Sequence, residues 1–145
     1  MASNLYTIGY EGHSVESFLD LLKKNSVKCL LDVRAMPLSH KQGFSKNTLK
    51  NHLHDHHIDY VHLPDLGSPK EIRDKVKKTK DYDSFFAAME KHLAGQTDTL
   101  KEACNLARQT PCCLLCFEKD WRHCHRSLVA KKIKAKIKNM TITNL

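Results

Sequence analysis

The stretch VKCLLDV at 27–33 constrains the fold of this chain more than any other. A near-continuous apolar run of strand length is what a strand buried on both faces looks like, and such strands belong to parallel sheets covered by helices on either side. A second run, CCLLCF at 112–117, is entered at Pro111 and reads as another strand of the same sheet.

The rest of the chain alternates between strand and helix signals. LYTIGY at 5–10 is short and β-branched, a first strand, and HSVESFLDLLKKN at 13–25 follows with Val15, Phe18, Leu19 and Leu22 at helical spacing behind Ser14, a fitting N-cap. After 27–33, RAMPLSHKQGF at 34–44 has no periodicity and reads as a loop of a length that is often functional. SKNTLKNHLHDHH at 45–57 carries Leu49 and Leu53 four apart behind Ser45, a candidate cap, and IDYVHLP at 58–64 makes a third strand broken by Pro64. DLGSP is turn chemistry. Three helical patterns follow between Pro69 and Gln109: PKEIRDKVKK, DYDSFFAAMEKHLAG with Gly95 as its C-cap, and TDTLKEACNLARQ opened by Thr97 or Asp98. The strand at 112–117 is the fourth; CHRSLVAKKIKAKIKN at 124–139 is a helix with Val129, Ile133 and Ile137 at four-residue spacing, and MTITNL at 140–145 adds a closing strand.

This order, free of Asn-Gly hairpin signals, predicts an α/β fold: a three-layer sandwich with a mostly parallel sheet of four to five strands, Rossmann-like. Right-handed crossovers put every strand's carboxyl end on one edge, where open sheets bind their ligands. The segments delivered there are GYEGHS, DVRAMPLSHKQGF, HLPDLGSP and CFEKDWRHCHR, and they hold most of the unusual chemistry in the sequence.

With 145 residues, 41% hydrophobic and 28% charged, the chain is expected to form a single domain over 1–145, with disorder confined to its first few residues. No apolar run approaches the roughly 18 residues of a membrane span, and MASNLYTIGYEG lacks the regions of a signal peptide, so a cytoplasmic location without membrane contact is expected. The six cysteines, at 29, 104, 112, 113, 116 and 124, are then reduced thiols rather than a disulfide framework. A net charge of +8 with ten histidines favours anionic partners. Much of the excess sits at 70–80 and 131–138, which read first as solvated helix faces and second as contacts to nucleic acid.

Four segments in this order, TIGYEGHSVESFLDLL, LLDVRAMPLSHKQGFSK, IDYVHLPDLGSP and CFEKDWRHCHRSLVA, resemble the domain-of-unknown-function 488 family of small prokaryotic proteins over nearly the whole chain. The specific part is the tail, Cys116, Glu118 two later, and Cys124-His125-Arg126-Ser127 six after that. The resemblance implies a cytoplasmic α/β domain of undetermined activity and draws attention to Arg34, Cys116, Glu118, Cys124, His125 and Arg126.

Several chemistries compete for the tail. Cys116 and Arg122 have the Cys-x5-Arg spacing of cysteine-phosphatase and rhodanese-like loops, but no glycine lets the backbone curl, and Glu118, Lys119 and Asp120 stand where amides should face an anion. A helix beginning near Cys124 fits better: its first turn would activate the thiol, Arg126 would clamp an anion, and Glu118 would act as general acid or base or hold the His125 tautomer. The bland reading makes Cys124 a cap and Arg126–Glu118 a structural ion pair. A metal set of Cys113, Cys116, Cys124 and His125 is disfavoured, because the Cys-x2-Cys lies on a strand where positions 113 and 116 face opposite ways. The histidines of HLHDHH at 52–57 read as surface groups stabilising a helix end. His62 reads as well placed at the ligand edge or simply as a satisfied core group, and Asp32 as a structural partner for an arginine.

The resulting expectation is an enzyme, a cysteine- or carboxylate-dependent hydrolase or transferase, acting on an anionic, phosphate-bearing substrate. Cys116, Glu118, Cys124 and His125 are the catalytic candidates on one wall of a cleft, with Arg34, Arg126, Tyr10, Glu11 and His13 binding substrate. No metal and no cofactor is expected, and the partner is an anionic small molecule or nucleic acid. The alternative is a non-catalytic module binding nucleic acid or a nucleotide.

Overall fold

Every strand pairing in the computed structural model, which describes residues 3–145, is parallel. The described residues form five strands, β1 (Ser3–Gly9), β2 (Cys29–Asp32), β3 (Asp59–His62), β4 (Cys112–Cys116) and β5 (Met140–Asn144), in the order β3-β2-β4-β1-β5. Six helices connect them: α1 (Val15–Lys24), α2 (Lys46–Asp55), α3 (Lys70–Thr79), α4 (Tyr82–Ala94), α5 (Thr97–Gln109) and α6 (Arg126–Lys136). This is the Rossmann-like α/β arrangement that the alternation of signals predicts. Met1 and Ala2 lie outside the described residues, as does part of the expectation of terminal disorder.

The apolar runs at 27–33 and 112–117 are the reason β2 and β4 occupy the middle of the sheet. All four residues of β2 and all five of β4 are buried, because helices cover both faces. Alternation divides them. Leu30, Cys113, Leu115 and Ile8 join Phe18, Leu22, Leu49 and Leu53 in a core under α1 and α2. Cys29, Leu31, Cys112, Leu114 and Leu5 join residues of α4, α5 and α6, among them Met89, Leu100, Ala103 and Ile133, in a second core on the other face. The lysine-rich α3 buries none of its residues completely and packs at the margin through Ile72 and Val76. No helix among the described residues is long and apolar enough to cross a membrane.

Element boundaries follow local chemistry with three departures. The first strand begins at Ser3 rather than Leu5, because β5 pairs with Ser3–Thr7 and extends the ladder. Ser14 caps α1 in a reciprocal box with Ser17, whereas Ser45 precedes α2 without capping it; its hydroxyl instead accepts from Ser39 N–H at 2.9 Å and closes the 39–45 loop. The last helix starts at Arg126, two residues after Cys124, behind a short 3-10 turn at Trp121–His123. Cys124 is extended, with φ −124° and ψ 139°, so its thiol stands before the helix rather than in its first turn.

Candidate functional site

The carboxyl end of β4 delivers Cys116, and a spacing of two along an extended chain puts Glu118 on the same face of the sheet, toward α6. The Cys116 thiol donates to Glu118 Oε2 at 3.1 Å. The loop carrying Glu118 is held from below by Arg126, which is fully buried. Its guanidinium donates from Nε to Thr7 Oγ1 at 3.2 Å, from Nη1 to the Glu118 carbonyl, and from Nη2 to the Lys119 carbonyl at 3.3 Å. Gly9, at the end of β1 and paired with Cys116, makes room for this approach: a Cβ there would lie 1.7 Å from the Glu118 carbonyl oxygen and 3.0 Å from Arg126 Nη1.

After the 3-10 turn the chain brings Cys124 and His125 back over the end of β4. His125 is buried, and its Nε2–H donates to the Val33 carbonyl at the end of β2, 2.8 Å away. Nδ1 therefore turns toward sulfur, 3.6 Å from Cys116 Sγ and 4.0 Å from Cys124 Sγ. The Cys124 sulfur in turn accepts the Arg126 backbone N–H at 3.5 Å. The ligating atoms of Cys116, Cys124 and His125 all lie within 4.8 Å of one another.

Charge in this cluster is unevenly shared. Burial pushes the Cys124 thiol up, but its contacts with Cys116 and His125 and the nearby charges of His125 and Arg126 outweigh it and hold the thiol well below its usual range. Contact with the Cys124 sulfur, then burial, pushes the Cys116 thiol well above that range. For His125 burial works against the charged form, yet its bond to Cys124 and that group's negative charge raise it overall. Burial, then the negative charge of Cys124, raise the Glu118 carboxyl. The four groups therefore behave as one unit, each shifting the charge of its neighbours.

Arg34 and Tyr10 occupy the opposite face of the sheet, in the layer of α1 and α2, while Glu11 and His13 lie at the edge beside the loop after β4. Arg34 is 6% exposed and makes a two-point pair with Asp32, Nε to Oδ1 at 2.8 Å and Nη2 to Oδ2 at 2.7 Å, while Nη1 donates to the Phe44 carbonyl at 2.7 Å. The Tyr60 hydroxyl donates to the same Asp32 carboxylate, and burial followed by that charge pushes the phenol up. Tyr10 is buried, stacked on Phe44 with ring centroids 4.6 Å apart. Glu11 is exposed and accepts from Lys119 N–H at 2.9 Å, tying the loop after β1 to the loop after β4. His13 is half-buried; burial first, then the charges of Lys41 and Lys119, lower its pKa. His62 gives Nε2–H to the Arg34 carbonyl at 2.9 Å, so it anchors the strand end.

The structure thus brings Cys116, Glu118, Cys124 and His125 together, and separates them from Arg34 and Tyr10 by the thickness of the sheet. The two arginines expected as anion clamps have internal partners. Arg126 holds the carbonyl of Glu118 rather than pairing with its carboxylate. Cys113 faces the α1–α2 core, away from the cluster. Among the described residues the histidines of 52–57 form no three-donor group. Sequence reasoning did not single out Thr7, Gly9 and Tyr60. Thr7 and Gly9 share a face by their spacing of two, a signal that acquires meaning only once β1 is known to lie beside β4.

Fold and cluster together define a three-layer α/β protein with a buried thiol–imidazole centre and a half-buried carboxylate at the carboxyl edge of its sheet. A family model described as Domain of unknown function DUF488 matches residues 14–133, and the chain belongs to that family. No curated protein and no solved structure matches the chain.

Proposed function

We propose that the protein is an enzyme acting on a small anionic substrate at the carboxyl edge of its sheet, with Glu118 moving protons and Cys116, Cys124 and His125 forming the reactive centre beneath it. The observation that carries this reading is the convergence of two thiols, an imidazole and a carboxylate on one spot, Glu118 and Nδ1 of His125 standing 3.1 and 3.6 Å from the Cys116 sulfur. Mutually perturbing groups of this kind are commoner at sites of chemistry than in cores built for stability alone. The anionic character of the substrate is supported by the rim. His13, Lys41 and Lys119 lie close enough for the two lysines to act on the histidine, and the chain carries a net +8. In this reading Arg34 and Arg126 brace the edge instead of gripping the substrate.

The test is turnover of nucleotides and phosphomonoesters by wild type and Glu118→Gln, with products followed by mass spectrometry. The expected result is a fall in kcat of at least ~100-fold in the variant at an unchanged circular-dichroism spectrum. Equal turnover by the two proteins removes the role of Glu118, and no turnover by wild type across the set removes the enzymatic reading.

A second reading, binding of single-stranded nucleic acid, is favoured by one observation. Trp121 is 38% exposed and borders a groove of about 250 Å³ with Arg122, Lys131 and Phe86, an aromatic surface flanked by cations. It requires retention on single-stranded DNA or RNA that falls steeply with salt and is lost in Trp121→Ala.

A further inference from the structure

We infer that Cys116, Cys124 and His125 form a binding site for a thiophilic divalent cation of the zinc class, with Glu118 beside its fourth position. Zn–S bonds of about 2.3 Å and Zn–N bonds of about 2.0–2.1 Å make the sulfur-to-nitrogen edge of a tetrahedron about 3.6 Å. The Nδ1 of His125 already stands 3.6 Å from one sulfur and 4.0 Å from the other. Two edges of one face of a coordination tetrahedron are therefore near their required length, and with all three donor atoms within 4.8 Å of one another side-chain adjustment closes the sulfur–sulfur edge.

The surroundings have the form that metal ligands require. A ligating histidine is normally fixed by a hydrogen bond from its other ring nitrogen, and here Nε2–H is held by the Val33 carbonyl at 2.8 Å, which leaves the Nδ1 lone pair for the ion. The Cys124 sulfur accepts the Arg126 backbone N–H at 3.5 Å, a contact that stabilises a thiolate. Two thiols and an imidazole are soft and borderline donors, which select zinc-like cations over magnesium or calcium. All three residues are buried, at 5%, 1% and 5% exposure, so the ion would be enclosed on the protein side. Glu118 is less buried, with Oε2 3.1 Å from the Cys116 sulfur. Three protein donors with a carboxylate beside the open position is the pattern of sites that leave that position to water or substrate, rather than of closed structural ones. The inference deepens the enzymatic reading and rests on it for the role of Glu118, while the cation site itself stands on the geometry of the three donors.

The experiment uses the reduced full chain, stripped with a chelator and titrated with Co²⁺ and then Zn²⁺. The expected result is about one cation per chain with a thiolate-to-cobalt charge-transfer band, and X-ray absorption of the zinc form showing two sulfurs at about 2.3 Å and nitrogen or oxygen near 2.0 Å. Cys116→Ser and Cys124→Ser each lower the affinity more than about 100-fold, beyond what loss of a supporting contact causes. The X-ray absorption reads the ligands in wild type, so it decides even where a variant fails to fold. Absence of the band, or a zinc shell of nitrogen and oxygen alone, as the histidines of 52–57 would give, overturns the site. A chain with band and sulfur shell whose Glu118→Gln variant turns over like wild type keeps the cation site and loses the role of Glu118. Turnover dependent on Glu118 in a chain with neither signature overturns the cation site and leaves the enzymatic reading standing.

Discussion

Replacing Arg126 by methionine keeps the apolar stem of a fully buried side chain and deletes its guanidinium. Three bonds go with it, to Thr7 Oγ1, to the Glu118 carbonyl and to the Lys119 carbonyl. Hydrogen bonds from a charged donor contribute roughly 1.5–3 kcal/mol each, but the substitution also removes the cost of burying the cation, itself several kcal/mol. The net loss expected is about 2–4 kcal/mol. At a urea dependence near 2 kcal/mol per molar, the unfolding midpoint falls by about 1–2 M. The single tryptophan provides a local readout, because Trp121 sits at the end of the loop that Arg126 pins. Its emission should change under native conditions, before global unfolding, as the loop loosens. Arg126→Lys should recover little, since one ammonium cannot span both carbonyls and the threonine. A methionine variant with the midpoint and Trp121 emission of wild type would refute the bracing role and return Arg126 to the anion-clamp role that its position in the sequence suggests.

Gly9→Ala forces the loop after β4 to move, because the added Cβ meets the Glu118 backbone at 1.7 Å; a loss of about 1–3 kcal/mol in urea unfolding is expected, and an unchanged midpoint would show that the close approach is not obligatory. Asp32→Ala leaves the Arg34 guanidinium buried without its counter-charge and should cost about 3–5 kcal/mol, whereas Tyr60→Phe removes one hydrogen bond to the same carboxylate and should cost about 1 kcal/mol; thermal unfolding that ranks them the other way contradicts the pairing. His13 should titrate below 6.5 in the folded chain, and Lys41→Ala should move its NMR titration back up, since burial is reinforced there by Lys41 and Lys119. A histidine whose folded pKa is lowered binds protons more readily when unfolded. Its contribution therefore makes the fold less stable as pH falls from 6.5 through the folded value, and a His13 titration indifferent to Lys41 would mean the two are not in electrostatic contact.

The element order was legible because each element announces itself within a few residues. The helix of 15–24 is written in Phe18, Leu19 and Leu22 and in the Ser14 cap, and the central strands in runs that alternate for neither face. The grouping of the tail was also legible, Cys116, Glu118, Cys124 and His125 being named from residue type, loop position and the family resemblance, and the fold brings them together. Boundaries slipped where a tertiary partner decided them. Ser45 had a capping sequence but found Ser39 instead, and the extra residues at the front of β1 are ordered by β5, more than 130 residues away.

The arginines mark the limit of a local reading. Arg34 and Arg126 stand at strand and helix ends pointing to the ligand edge, the position of an anion clamp, and their sequence neighbours do not reveal that Phe44, Thr7 and the Lys119 carbonyl absorb their donors. Strand content, helix content and the chemistry available at the sheet edge are set by periodicity and residue type over a few turns of chain, and these the amino-acid order determines directly. The order β3-β2-β4-β1-β5 is not of that kind, since it depends on which strand completes the gap between β2 and β1. Once β4 enters there, Gly9 meets Glu118, the Val33 carbonyl meets His125, and two cysteines eight positions apart share one imidazole. Contacts between residues 7 and 126 or 33 and 125 cost chain entropy that only the assembled core offsets, so the site exists as a unit only in the folded molecule.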